Sequence, residues 1–580
     1  MEINKLAKDY PDVNMDNYDS DELSKVKKLE KMFESAKEAR KSKMPRWRRN
    51  EELVEGKFLK PFNLPKYKSR IEPNVVHSVI ETMYSILTDR PPKVDVMPKR
   101  EDQIMTAYQA QEAVDWTMKE KKAQRAISAM KRDGLIYGNG FLKIVMVDGE
   151  IEYVVPDPFT IYIDALATSI DTAQCVIFAT PTYVQDIKDQ YGKQVAAEGN
   201  LDENRSFVKA ADKYATDKVN LDDLESRGPQ DDQILSDYRG GQALLKEGWY
   251  FEKGKLKLAT WCGDQLLQYE DAPYDFIPLV SFQNYPTAHS VWGKGEPEAI
   301  ESLATGAAII LSQAADNLIY HGNPAIVMSK SLAKISGNRP TDKPGQIFYT
   351  NGPHERIDRM PAGNISSSSL PMAETMLKLC DTVSGVHDIT QGRNPSGVTA
   401  SRAISQLQEA SQQVIRAKER EIGTDAIIDI YKMTLNLLVN NYEHSISIRR
   451  FSDDGTGYEF NEVQPYELSA DMDFKYIPGS SLPESRAARM DQAIDLLQLG
   501  LLDAESFWRF TQADITKDIL NQITSARAEQ QKQMQGEMEI LGKSTDENEI
   551  LEALLRQREL SGAAEQTRQV QVEGTRAENQ

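Results

Sequence analysis

Residues 296–320, EPEAIESLATGAAIILSQAADNLIY, decide how the rest of the chain is read. Ile300, Leu303, Ala307, Ile310, Leu311, Ala314 and Leu318 recur at the three- and four-residue spacing that lines one face of an α-helix. Gly295 and Gly322 bracket the run, which predicts a helix roughly 37 Å long if unbroken. A compact interruption follows: strand-like residues 325–329, a turn-rich basic stretch over 330–344, and a second strand-like run at 346–349. A second helix is expected over 368–383, with Leu370, Met376, Leu377 and Leu379 as packing positions and several serines able to cap it. Then come residues 387–399, dominated by turn formers and bearing a single cation, Arg393. A helix over 401–440 would span roughly 60 Å if straight, more than a globular domain ordinarily requires.

Upstream of this region the chain mixes helix and strand. Residues 21–43 read as a charged helix with a thin apolar stripe (Leu23, Val26, Leu29, Met32, Phe33), expected to pack peripherally. Prolines punctuate 44–98, where Val75, Val79, Ile80, Met83 and Leu87 mark a helix that Pro91-Pro92 stops. One helix is expected over 101–137. Gly138-Asn139-Gly140 ends it, and residues 141–147 and 151–155 flank Asp148-Gly149, a favoured hairpin turn. Further strands are expected at 159–163, 175–179, 244–251, 255–262 and 265–269, and an acidic insertion or mobile loop at 196–241. Downstream, residues 445–451 and 472–477 look like strands. Pro483 opens a helical region to about 557, and a polar tail starts at Ser561. No repeat of fixed period is visible.

Composition bounds the function. The chain has 580 residues, 40% hydrophobic and 27% charged, so it should fold and divide into more than one region. Its formal net charge of −20 argues against a protein that grips DNA over its whole surface, because such binding rests on cations neutralising phosphates. The charge is compatible with repelling DNA, but taken alone it favours an acidic surface that merely keeps the protein soluble. No stretch approaches the roughly 20 apolar residues that cross a bilayer, so no membrane-spanning role is expected. Cys175, Cys262 and Cys380 are far apart, and no signal-peptide pattern opens the sequence. We therefore expect no disulfide framework and synthesis in a reducing cytoplasm.

The motifs of enzymes are missing where they would be needed. No Gly-x4-Gly-Lys-Ser/Thr loop occurs; Gly293-Lys294 and Gly254-Lys255 lack its other positions. Gly138-Asn139-Gly140 stands after a helix and before a strand, the reverse of the order that presents a helix N-terminus to a pyrophosphate. The six histidines show no zinc-ligand spacing. Asp157, Asp164 and Glu152 could be imagined around a magnesium ion, but turns and solvated faces explain them better. No cofactor and no catalytic activity are expected. A metal-dependent DNA-processing enzyme remains the alternative outside the structural class.

The order long helix, small basic excursion, second helix, turn-rich loop, very long helix resembles the portal proteins of tailed bacteriophages. So do the phrases Trp292-Gly293-Lys294-Gly295, Gly322-Asn323-Pro324, Ser384-Gly385-Val386 and Thr399-Ala400-Ser401-Arg402-Ala403-Ile404, and more weakly Gly138-Asn139-Gly140-Phe141 and Pro156-Asp157-Pro158. Many portals carry Ser-Gly where this chain has Ala400-Ser401, which leaves the end of the loop open.

The resemblance implies an α+β portal fold. Its parts would be an N-terminal charged segment (1–45), a mixed α/β wing (46–291), a first stem helix (292–321), a small α/β clip (322–362) and a second stem helix (363–386). A tunnel loop (387–400), a long wing helix with wing strands (401–483), a helical crown (484–560) and a flexible tail (561–580) would follow. It further implies a ring, usually of twelve copies, at one capsid vertex of the virion, through which double-stranded DNA is packaged and ejected. Partners would be a terminase motor, a head-tail adaptor and the major capsid or scaffolding protein. In the clip, Lys330, Lys334, Arg339 and Lys343 would face the motor and the adaptor. In the tunnel loop His387, Gln391, Arg393, Asn394, Ser396 and Thr399 would line the DNA channel, with Arg393 and Asn394 positioning phosphates without reading bases. A pairing of Arg393 with a neighbouring acid accounts for that residue equally well. Another head-tail component, such as an adaptor, is the closest alternative, although adaptors are usually much smaller.

Overall fold

Helix α1 (Ser20–Lys41) carries its apolar stripe into the protein rather than along its edge. Val26, Leu29, Phe33 and Ala36 are buried against Tyr162, Ile177, Leu244, Tyr250 and Trp261. The stripe is thin in sequence, yet it covers one face of a sheet and is not peripheral. Lys246 Nζ donates to Glu30 of α1 at 2.7 Å and Trp261 Nε1 donates to the same carboxylate at 2.9 Å, so this acid is satisfied against the sheet. In the computed structural model the described residues are 20–196, 241–322, 326–327, 330, 334, 358–359, 368–386, 413–442, 444–451 and 458–478. The expectations for 196–241 beyond residue 196, and for everything after residue 478, therefore lie outside them.

A short helix, α2 (Met44–Val54), carries Pro45 in its first turn and was not anticipated. Helix α3 (Val75–Leu87) is capped by Asn74, whose side chain accepts from the His77 N–H at 3.1 Å. Strand β1 (Val94–Met97) follows. The helix expected over 101–137 is two helices, α4 (Ile104–Glu120) and α5 (Ala123–Tyr137). Lys122 between them is left-handed at φ 54°, a reversal that no glycine or proline advertises.

Gly138, at φ 95°, closes α5 and β2 (Asn139–Val147) begins at once. Asp148 and Gly149, at φ 51° and 78°, make the expected tight turn into β3 (Glu150–Val154). Strands β4 (Ile161–Ile163), β5 (Cys175–Tyr183), β6 (Gln242–Glu252), β7 (Lys255–Cys262) and β8 (Gln265–Asp271) form one antiparallel sheet in chain order, with α6 (Val184–Tyr191) after β5. A second sheet has the order β3-β2-β9, where β9 is Leu279–Gln283.

The long helix exists as α7 (Glu296–Gly322). Strands β10 (Ile326–Val327) and β11 (Asp358–Arg359) pair antiparallel. The strand expected at 346–349 lies outside the described residues. Helix α8 (Ser369–Ser384) ends on Gly385 at φ 73°. What reads as one helix over 401–440 is described from residue 413 and is interrupted: α9 (Gln413–Ile422), a π turn (Gly423–Ile427), then α10 (Ile428–Asn441). At the turn the Tyr476 ring fills the space where a Cβ on residue 423 would sit, and its hydroxyl donates to Glu419. Strands β12 (Ile446–Phe451), β13 (Tyr458–Val463) and β14 (Asp473–Tyr476) complete the described chain. β14 pairs with the distant β1, Val94 opposite Tyr476.

Helices α3, α4, α5, α7, α9 and α10 and the three-stranded sheet share one hydrophobic core. Inside it lies Lys131 of α5, only 2% exposed, which donates to the Leu87 carbonyl at 2.6 Å and so ties α5 to the end of α3. Burial pushes its ammonium down to about 8 from an ordinary value near 10.5, with Glu419 acting in the opposite direction. Between those two values the unfolded chain binds a proton that the folded chain has lost, so stability rises with pH in that window. Relative to Lys131→Met, the wild type should gain unfolding free energy between pH 8 and 10 and keep a constant difference below pH 7. Denaturant titrations of both proteins across that range test this, and a difference that is flat throughout would remove the titration.

Candidate functional site

Two of the elements singled out by sequence, α7 and α9, meet at a buried polar junction. Glu296, the first residue of α7, is fully buried. It accepts from Asn284 Nδ2 at 2.9 Å, from the Tyr285 hydroxyl at 3.1 Å and from the Lys418 ammonium of α9. Lys418 also donates to Asn284 Oδ1 at 3.0 Å, and its Nζ lies 3.7 Å from the Tyr285 ring centroid. Burial pulls the Lys418 ammonium below its ordinary value, and Glu296 offsets part of that. Burial and then the Glu296 charge push Tyr285 well up, so its hydroxyl remains a donor. The positive end of the α7 dipole favours the carboxylate as well.

Two phrases noticed separately in the sequence are halves of one lock. Asn139 Nδ2 donates to the Val291 carbonyl at 2.9 Å, the Gly293 N–H donates to Asn139 Oδ1 at 2.7 Å, and the Asn284 N–H donates to the Gly138 carbonyl at 2.9 Å. A Cβ on Gly138 would stand 2.7 Å from the backbone of Gly293 and Lys294, and one on Gly293 would stand 2.6 Å from the Gly138 oxygen. Only glycine permits that approach.

Along its length α7 is held from one side. Arg49 Nε and Arg46 Nη1 donate to Glu301 at 2.8 and 2.9 Å. The Ile71 and Ser69 N–H groups donate to Ser312 Oγ and Asp316 Oδ1 at 2.9 and 2.7 Å. Helix α8 crosses α7 where Met376 Sδ comes 3.0 Å from the Cβ position of Gly306. Ala373, Cys380 and Ser384 turn α8 inward. At its end, the Cβ position of Gly385 lies 2.8 Å from Val414 Cβ. The two ends of the segment 387–412 are therefore brought together, as β10 and β11 bring together the ends of 328–357.

Of the residues singled out by the resemblance, Lys330 and Lys334 are exposed. Arg339 and Lys343, and His387, Gln391, Arg393, Asn394, Ser396 and Thr399, lie outside the described residues. The imagined magnesium set does not converge. Asp157 Oδ1 accepts from the Phe159 N–H at 2.9 Å, Asp164 Oδ1 accepts from the Leu166 N–H at 3.4 Å, and Glu152 sits exposed on β3. Among the described residues no three His, Cys, Asp or Glu side chains are placed to hold a metal ion, and no helix is long and apolar enough to cross a membrane. The three cysteines are buried free thiols.

A family model described as the phage SU10 portal protein matches residues 147–530. The chain belongs to the phage SU10 portal protein family. No curated protein matches the chain. The matched span of this portal protein takes in α7, α8, α9 and Lys418, whereas Gly138 and Asn139 lie just before it. Sequence reasoning missed Glu296 and Lys418 as partners, since they stand 122 residues apart and neither belongs to a motif.

Replacing Lys418 with methionine leaves a buried carboxylate without its cation. Breaking one side of such a pair costs about 3–5 kcal/mol, because the remaining charge stays desolvated. Urea unfolding should show a loss of that size for Lys418→Met and a smaller loss for Glu296→Gln with Lys418→Met together. A double-variant loss equal to the sum of the Glu296→Gln and Lys418→Met losses would mean that the two residues are not energetically coupled.

Proposed function

We propose that copies of this chain close into a ring at one capsid vertex, usually of twelve, with α7 and α8 as the stem helices around a DNA channel. In this reading residues 46–291 belong to the wing, 322–362 form the clip, 387–400 the tunnel loop, 401–483 the wing helix and its strands, and 484–560 a crown. The clip, with Lys330, Lys334, Arg339 and Lys343, docks the terminase motor during filling and the head-tail adaptor afterwards. The major capsid or scaffolding protein surrounds the ring. The chain itself performs no hydrolysis, and translocation draws on the separate motor.

The observation that carries this reading is the outer surface of the helix pair. Leu318 is 72% exposed and Leu370 53%, and Ile319, Met372, Leu379 and Val383 are also exposed. Apolar side chains gathered on one helix pair mark an association surface rather than scattered solvent-facing residues. Closed, head-to-tail assembly gives every copy the same covered face. The acidic balance of −20 per copy fits a channel through which phosphates slide without sticking.

Native mass and top-view microscopy of the purified protein should show closed rings, and a stable monomer at high concentration in physiological salt would end the ring reading. Shortening residues 387–399 should leave the rings intact and impair DNA packaging or retention, because loop residues contribute little to a core. Arg393→Glu should alter retention in a salt-dependent way, since it places a like charge where a phosphate backbone passes. If intact Arg393→Glu rings package and retain DNA like the wild type at every salt concentration, Arg393 has no DNA role.

A further inference from the structure

Residues 59–72 form a loop that is closed at its base and tied to α7 at its far side. At the base the Leu59 N–H donates to the Glu72 carboxylate, and Phe58 and Leu59 are buried in the main core. Surface loops whose ends meet in this way are compact bodies rather than slack chain. Arg49 grips the entry to the loop. Its guanidinium donates to the Lys57 and Phe58 carbonyls at 3.0 Å each and to Glu301 of α7 at 2.8 Å. At the far side the Ser69 N–H donates to Asp316 Oδ1 at 2.7 Å and the Ile71 N–H donates to Ser312 Oγ at 2.9 Å. The Ser312 hydroxyl reaches back to the Ile71 carbonyl at 3.4 Å, and the Lys68 ammonium lies 3.3 Å from Asp316 Oδ2.

Glu301, Ser312 and Asp316 lie within about 60° of one another around α7, and the first and last are about 22 Å apart along it. The loop and its arginine therefore meet one side of the helix at two separated points. Gly306, where α8 crosses, is roughly 100° around the helix from Ser312 and Asp316, so loop and α8 hold different sides.

The two points differ in kind. The near one is set in the core by Phe58 and Leu59 and by the three acceptors of Arg49. The far one is polar: Ser312 and Asp316 are buried under the loop, but they bond to main-chain amides, and water can replace such bonds at small net cost. The Ser69 N–H, then its hydroxyl and Lys68, hold the Asp316 carboxyl below its ordinary value against the opposing effect of burial. Of the larger apolar side chains between the two points, Leu64 packs against the core, whereas Phe62, Tyr67 and Ile71 are exposed. Just beyond Asp316 the helix carries the exposed Leu318 and Ile319.

We propose that the loop 59–72 is a detachable strut. Braced between Glu301 and Asp316 it fixes the direction of the far half of α7; released at Ser312 and Asp316 it lets that half swing while its own base stays in the core. All of these contacts lie within one copy, so the strut is independent of the ring reading.

Spin labels on the full chain report the swing. One label goes on Lys31→Cys of α1 and one on Leu318→Cys near the end of α7, both exposed positions, in chains mixed with a large excess of unlabelled ones. The native cysteines are buried, which directs the label to the new ones. Asp316→Asn should widen the electron–electron distance distribution at least twofold and speed hydrogen exchange at the Ser69 and Ile71 amides at least tenfold. Ser69→Pro, which removes the donor and leaves the sequence of α7 untouched, should widen the distribution equally. A label pair at Lys31→Cys and Glu120→Cys, both off α7, should keep its width in every variant and so show that the fold is retained. Faster exchange with an unchanged distribution between 31 and 318 would mean that α7 keeps its direction without the loop, and would overturn the strut. Exchange and distribution both unchanged would overturn it too. Equal broadening of the two label pairs would make the contact a general stabiliser and likewise reject the strut.

Discussion

The buried Glu296–Lys418 pair is the constraint on which the arrangement of the helices depends. Two charges withdrawn from water cost several kcal/mol each, and that cost is met only if every remaining donor and acceptor is placed. Here Asn284 answers both partners, donating to Glu296 and accepting from Lys418, while the Tyr285 hydroxyl and ring serve one each. The N-terminus of α7, the end of β9 and the middle of α9 are thus fixed by a single set of bonds. What the pair contributes is register. Moving α9 by one residue would carry Lys418 off its acid and leave a bare carboxylate in the core.

Around that point the packing becomes progressively more permissive. Nearest to it, backbone meets backbone at Gly138 and Gly293 with no room for a side chain. Further along α7, the half-exposed Arg46, the largely buried Arg49 and main-chain amides hold the helix to the residues before α3. At its far end Leu318 and Ile319 are exposed. The helix is therefore most specified where it enters the fold and least specified where it leaves it.

Much of the fold could be read before any coordinates because local chemistry announced it. The Asp148-Gly149 turn and the alternation in β6, β7 and β8 depend on neighbours in sequence, and so does the face of α7. Other features depend on distant residues. Strand β1 is four residues long and pairs with β14 almost 380 positions away. The break between α4 and α5 rests on a left-handed lysine, which no propensity foretells. At the π turn, Gly423 packs against the ring of Tyr476, 53 residues further on. The site was half legible. Gly138-Asn139-Gly140 and Trp292-Gly293-Lys294-Gly295 stood out as phrases, but only the fold reveals that they touch, and Lys418 looked like any other lysine on a charged helix.

The glycine lock has a mechanical meaning. Contacts between side chains yield, since a rotamer can change or a methyl can shift, but carbonyl against α-carbon has no slack of that kind. Helix α7 is therefore a lever on a stiff pivot. With 27 residues it reaches about 40 Å from its base, so a tilt of about 5° at the pivot displaces its tip by about 3.5 Å. Because the pivot includes the first residues of β2 and the end of β9, the three-stranded sheet must rock with the helix rather than absorb the motion.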